Sequence, residues 1–112
     1  LEGREYSMAG ILPFKAKKGN LKIGYREARS KNNSPIITPG KKLIGHEFHR
    51  WEIINESYNS KINPIWDIKG WNLENKNEGF CNHLIHASWI HLHWASSPLI
   101  IENWKKSIMN YA

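Results

Sequence analysis

Two histidines stand two residues apart at the end of an apolar run, in Ala87-Ser88-Trp89-Ile90-His91-Leu92-His93-Trp94-Ala95-Ser96-Ser97-Pro98. Side chains of an extended strand alternate with a period of two, so His91 and His93 share a face. A strand end that delivers imidazoles into a loop suits acid–base chemistry, because an imidazole takes up and releases protons near neutral pH. A second histidine motif, Gly45-His46-Glu47-Phe48-His49, lies earlier in the chain.

Three chemistries compete for these residues. The first is metal binding, with His91 and His93 ligating from one strand face and His46 and His49 adding two more nitrogens. Spacing weighs against it: His46 and His49 are three apart and face opposite ways on a strand. No Cys-x-x-Cys or His-Glu-x-x-His pattern is present. The second is a cysteine nucleophile with His91 as its general base. Cys81 is the only thiol. A straight strand rises about 3.3 Å per residue, which would put Cys81 roughly 33 Å from His91. Gly79-Phe80-Cys81-Asn82 also lacks the small residues of a nucleophile elbow, so Cys81 reads as a packing residue. The third is a pair of hydrogen-bonded histidines at a sheet edge.

A chain of 112 residues suits one small domain with a modest core. With 40% hydrophobic residues and six tryptophans it is globular rather than disordered. No apolar run approaches the roughly 18 residues of a membrane span, and no secretory leader is visible. A lone cysteine excludes an internal disulfide and points to a reducing, cytoplasmic setting. The formal charge is +6, with basic residues at Lys15, Lys17 and Lys18, at Lys41-Lys42 and at Lys105-Lys106. They are dispersed and no recognition motif accompanies them. They read as solvated surface, or as a face for an acidic substrate or partner domain, rather than as a nucleic-acid footprint.

Leu1 to Tyr6 reads as a lead-in. Met8–Leu12 reads as a short buried strand stopped by Pro13, and Lys15–Asn20 as a polar loop. Leu21–Arg29 alternates as a strand, and Lys42–Ile54 as a long one. On the latter His46, Phe48 and Arg50 share one face, and Glu47, His49, Trp51 and Ile53 the other. Asn55–Pro64 reads as a hairpin loop, Ile65–Trp71 as a strand, Leu73–Glu78 as a loop and Gly79–Trp94 as one last strand, bent near Ala87-Ser88. Ser97 is the candidate N-cap and Pro98 the first residue of a closing helix. Its stripe of Ile100, Ile101, Trp104, Ile108 and Tyr111 would pack on the sheet, with Glu102 toward its start and Lys105-Lys106 toward its end.

Four segments carry a family resemblance: Gly3-Arg4-Glu5-Tyr6-Ser7-Met8-Ala9-Gly10-Ile11-Leu12-Pro13, Leu21-Lys22-Ile23-Gly24-Tyr25-Arg26-Glu27-Ala28, Gly45-His46-Glu47-Phe48-His49, and Ala87 to Ser96. In this order they resemble the C-terminal part of the cobyrinic acid a,c-diamide synthases, glutamine-dependent amidotransferases of corrinoid (cobalamin) biosynthesis. Here Arg50-Trp51 follow the Gly-His-Glu-Phe-His motif, where the family often has a tyrosine and a small residue.

The resemblance implies an α/β class, mostly β in this portion: part of a class I glutaminase sheet with a C-terminal helix. Residues 1–112 would be the distal portion of a glutaminase domain. An ATP- and magnesium-using synthetase domain and a Cys-Gly-Gly nucleophile segment would lie outside it; the chain has neither Gly-x-x-x-x-Gly-Lys nor Cys-Gly-Gly. Alone it would be inactive and would hold no cofactor or metal. His91 matches the family's catalytic histidine. His93 stands where related glutaminases often carry a glutamate, which fits a Cys-His dyad. His93, His46, Glu47 and His49 would line or orient the pocket. Implied partners are the synthetase domain of the same protein, glutamine and a corrinoid carboxylate, with no nucleic acid and no membrane; a homodimer stays open. The alternatives are a histidine-rich metal-binding domain and a basic module for polyanions.

Overall fold

Lys42–Ile54 forms β2, with the boundaries that its alternation predicts. Its partner β1, Lys15–Ser30, runs antiparallel to it, and the two are the long strands of the molecule. A computed structural model describes residues 3–54 and 56–111, the last without its side chain. The readings at Leu1, Glu2 and Asn55, and the Tyr111 side chain, lie outside the described residues. Beyond β2 come β3 (Trp66–Gly70), β4 (Leu73–Glu78), β5 (Phe80–Cys81), β6 (His86–Ala87), β7 (Ile90–Leu92), a 3₁₀ turn at Trp94–Ser96 and helix α1 (Pro98–Tyr111). The main sheet has the order β4-β3-β1-β2-β7, with every pair antiparallel; β5 and β6 form a separate ribbon. The fold is thus mostly antiparallel β with one C-terminal helix.

The two faces of this sheet differ sharply. Ala28 of β1, Trp66 and Ile68 of β3 and Ile90 of β7 point to one side and join Ile37, Ile65 and Cys81 in the core. The cross-strand pairs Ile23↔Phe48 and Tyr25↔His46 stand on the other side, together with Ile44. Their apolar members are exposed; Tyr25 keeps 75% of its surface. On β1 the apolar row of Leu21, Ile23 and Tyr25 therefore faces outward, and the row carrying Arg26 faces inward.

Several expectations are corrected. Met8–Leu12 forms no strand and is largely exposed, since it finds no pairing partner. Lys15–Asn20 is strand, because Lys15–Lys18 pair with Trp51–Ile54 across an irregularity before Lys22. Leu73–Glu78 is also strand: it forms a hairpin with β3 around Trp71-Asn72, where Asn72 takes φ +56°, a left-handed conformation that asparagine tolerates. Asn55–Pro64 does not close a hairpin, since β3 pairs with β1 rather than β2. Gly79–Trp94 breaks into three short strands. The Asn82 carboxamide accepts the Leu84 and Ile85 N–H groups at 2.8 and 2.9 Å, and that local turn competes with extended pairing.

Helix α1 starts at Pro98 as expected, but it docks differently. Ile100 is buried, whereas Ile101, Trp104 and Ile108 stay exposed. The docked face runs Ile100, Asn103, Ser107, at spacings of three and four. The Asn103 amide donates to the Ile36 carbonyl at 3.3 Å and the Ser107 hydroxyl to the Pro35 carbonyl at 2.7 Å. Glu102 and Lys105-Lys106 lie outside the first and last turns, where macrodipole effects fade. No helix among the described residues is long and apolar enough to cross a membrane.

Candidate functional site

β7 reaches the sheet because β2 offers it a glycine. The register is Gly45↔Leu92, His46↔His91, Glu47↔Ile90. A Cβ on Gly45 would collide with Cγ2 of Ile90 and stand 3.2 Å from the His91 carbonyl oxygen. The glycine of Gly-His-Glu-Phe-His thus lets the short strand close, and closure brings His91 beside His46 on the open face.

His91 is exposed, and its Nδ1 lies 2.9 Å from the carbonyl oxygen of His46. A carbonyl only accepts, so Nδ1 carries a hydrogen, and in the neutral imidazole Nε2 then holds the lone pair. Among the described residues Nε2 makes no hydrogen bond. His46 itself packs edge-on against Tyr25, ring centroids 5.3 Å apart. His93 follows β7 in extended conformation at the head of the 3₁₀ turn. Ser96 donates to the His93 carbonyl at 2.8 Å and its Oγ stands 3.4 Å from His93 Nδ1. No hydrogen bond joins His93 to His91 among the described residues.

Glu47 and His49 go to the opposite face. The Arg26 Nε–H donates to Glu47 Oε2 at 2.8 Å, and His49 Nε2 lies 2.8 Å from Oε1, with all three side chains buried. Burial raises the Glu47 carboxyl, but the Arg26 and His49 hydrogen bonds outweigh it and hold the group below the usual carboxylate range. The His49 ring stacks on Trp89, with centroids 4.3 Å apart. The second motif is therefore split by strand alternation. His46 joins His91 on the open face, while Glu47 and His49 brace the inside. Among the described residues no three His, Cys, Asp or Glu side chains converge as metal ligands.

A cleft of about 600 Å³ opens beside this network, lined in part by Glu47, His49, Glu78, Ser88 and Trp89. Glu78 closes β4 and is 5% exposed. Its Oε2 accepts the Ser88 hydroxyl at 2.6 Å and its Oε1 the Trp89 N–H at 2.9 Å. Burial pushes this carboxyl up to about 7 against the pull of those two donors. The sequence reading missed Arg26 and Glu78. Arg26 had a signal, a charged residue on the strand row shared with Ala28, which demands a buried partner. Glu78 had none, since it ends a wholly polar stretch.

Cys81 is fully buried among apolar residues, and burial pushes its thiol up to about 11, so little thiolate forms at neutral pH. His86 is likewise drawn down, to about 4, by burial. Its Nδ1 sits 2.8 Å from the Ser34 hydroxyl.

No family model matches the chain, and no solved structure matches it significantly. Curated relatives do. A cobyrinate a,c-diamide synthase of Synechococcus sp. is 33% identical over 105 residues, 91% of this chain and 22% of the relative. Another from Gloeobacter violaceus is 35% identical over 97 residues, 85% of this chain and 20% of the relative. A hydrogenobyrinate a,c-diamide synthase of Mycobacterium tuberculosis is 30% identical over 94 residues, 83% of this chain and 20% of the relative. The chain spans about a fifth of the length of the curated relatives it matches. Over that span, the chain is similar to the cobyrinate and hydrogenobyrinate a,c-diamide synthases.

Proposed function

We propose that this chain is the part of a glutamine-dependent, ATP-driven amidotransferase that supplies the histidine base for ammonia release. The amidated groups would be the a and c carboxylates of cobyrinate or hydrogenobyrinate, the corrinoids in the relatives' names. The observation that carries this reading is the His91 tautomer. The Nδ1–H donates to the His46 carbonyl, so Nε2 is an available base on an open sheet face.

In this reading Nε2 of His91 takes the thiol proton of a cysteine on a segment outside the chain, and the thiolate so formed attacks the glutamine side-chain carbonyl carbon. Protonated Nε2 of His91 then gives its proton to the departing nitrogen as the C–N bond breaks, and ammonia and a thioester form. Nε2 next takes a proton from the water that hydrolyses the thioester to glutamate. Cys81 is a poor candidate for the thiolate, being buried and held protonated. ATP and magnesium would act on the corrinoid carboxylate in the synthetase domain of the same protein. The residues present here do not fit that nucleotide, since no glycine-rich phosphate loop stands in the sequence. The lone cysteine supports a reducing, cytoplasmic setting for this reading.

The test compares amide formation from glutamine and from ammonium salt in the full-length protein carrying His91→Ala. The glutamine route should fall by about 10² to 10⁴, the usual worth of general acid–base help, while the ammonium route persists. Equal loss of both routes would defeat the reading.

A further inference from the structure

The short strand that carries His91 holds only three residues, and its pairing with β2 covers Gly45 to Glu47. So brief a ladder leaves the strand's approach to be fixed by something else. Two bonds from β4, and a third that Ser88 makes, do this. Glu78 takes the Ser88 hydroxyl on one carboxylate oxygen and the Trp89 N–H on the other, at 2.6 and 2.9 Å. Ser88 Oγ in turn accepts the Ile90 N–H at 2.9 Å. Every residue from Ser88 to Ile90 is thus tied, directly or through one hydroxyl, to a single buried carboxyl. His91 is the next residue.

The backbone beside Glu78 is shaped for this contact. Gly79 takes φ +79°, a conformation that suits glycine, and a Cβ there would lie 3.0 Å from the Ala87 carbonyl oxygen. Without that side chain, the end of β4 packs directly against Ala87, the residue just before those it holds. On the far side, the Trp89 ring is stacked on His49, which Glu47 and Arg26 fix in turn.

We propose that Glu78 is a positioning residue for His91. It fixes Ser88–Ile90 so that the imidazole meets the His46 carbonyl and turns Nε2 toward its substrate. Glu78 touches no substrate in this scheme, and the inference rests on His91 being the base proposed above. Small displacements of a reacting group cost about 10² in rate, which sets the size of the effect.

The test uses full-length protein, below the melting temperature of each variant. Glu78→Gln replaces one acceptor oxygen by an amide that cannot accept. It should lower kcat for glutamine-driven amidation roughly 10- to 100-fold, with KM for glutamine within about threefold and the ammonium route within about twofold. Glu78→Asp keeps both acceptors and should recover part of the loss. A merely structural role would instead scale both routes alike with the folded fraction. Should Glu78→Gln fail to fold, Ser88→Ala removes the hydroxyl link alone and should lower the glutamine kcat in the same selective way. Full glutamine-driven kcat in a folded Glu78→Gln or Ser88→Ala variant overturns the proposal. If His91→Ala leaves the glutamine route intact in parallel, the proposed function fails first; if His91→Ala abolishes it while the Glu78 and Ser88 variants do not, only the positioning role fails.

Discussion

The Nδ1 of His91 lies 2.9 Å from the backbone carbonyl oxygen of His46, on a neighbouring antiparallel strand. This bond makes the two histidine motifs parts of one arrangement, although they stand 45 residues apart. It also separates the roles of His91 and His93. Among the described residues His93 has no such carbonyl partner; near its Nδ1 stands the Ser96 hydroxyl at 3.4 Å, which can donate or accept. In the full-length protein, His93→Ala should therefore lower the glutamine-driven rate less than His91→Ala does, by about tenfold against the 10² to 10⁴ for a lost base. A larger loss at His93, confined to the glutamine assay, would show that the base is the other histidine of the pair.

Gly45 tests the closure of β7. Alanine there drives a methyl into Cγ2 of Ile90, a branched and buried side chain that cannot swing aside. Overpacking of this kind costs about 1–3 kcal/mol. The cheapest relief is a shift of β7 away from β2, which lengthens the bond from His91 to His46. Gly45→Ala should therefore lower the melting temperature and depress glutamine-driven turnover beyond what the folded fraction explains. A variant with wild-type melting and turnover would show that the strand has slack.

What was legible in the sequence follows burial. β2 alternates across a boundary between core and solvent, and its ends were read as they stand. β4 is one of the two edge strands of the sheet, and Leu73-Glu74-Asn75-Lys76-Asn77-Glu78 is exposed along most of its length. It has no apolar face to set a period of two. The stretch after Gly79 is apolar enough to read as one strand, yet two Asn82 hydrogen bonds turn it back on itself. For the site, the opposed faces of His46 and His49 were readable from spacing, whereas His91 was singled out by the family resemblance and its place beside His46 was not foreseen. The Glu78 links were not, because nothing local tells a buried glutamate from the exposed ones beside it. The inward row of β1 was readable in part: Arg26 and Ala28 alternate, and a guanidinium in that row requires the carboxylate that Glu47 supplies.

Cys81 is fully buried, with its Sγ 3.7 Å from the Pro64 carbonyl oxygen, and its thiol is held protonated. Cys81→Ser should leave glutamine-driven amidation by the full-length protein within about twofold. The cost should fall on stability, about 1–3 kcal/mol for a hydroxyl placed in an apolar site. The 112-residue chain alone should release no glutamate from glutamine, with or without the substitution. Activity abolished by Cys81→Ser at full folding would make this thiol the nucleophile.

Glu78 and His86 give opposite pH dependences of stability. Burial raises Glu78 from an ordinary 4.5 to about 7. Between those values the folded state holds the proton more tightly than the unfolded chain, so this group's contribution falls as pH rises. Burial lowers His86 from 6.5 to about 4. Between those values the unfolded chain binds the proton more tightly, so this contribution grows as pH rises. Each gap corresponds to at most about 3 kcal/mol. From pH 4.5 to 6.5 the two slopes oppose, and substitution unmasks each. Glu78→Gln should make stability climb with pH from 4.5 up to about 7 relative to the unsubstituted protein. His86→Asn should make it decline from pH 4.5 toward 6.5 on the same comparison. Urea unfolding midpoints across pH 4.5 to 7.5 for the three proteins provide the measurement. Groups common to all three that do not interact with the substituted residue drop out of the differences. Three parallel curves would mean that neither group carries the shift its burial implies.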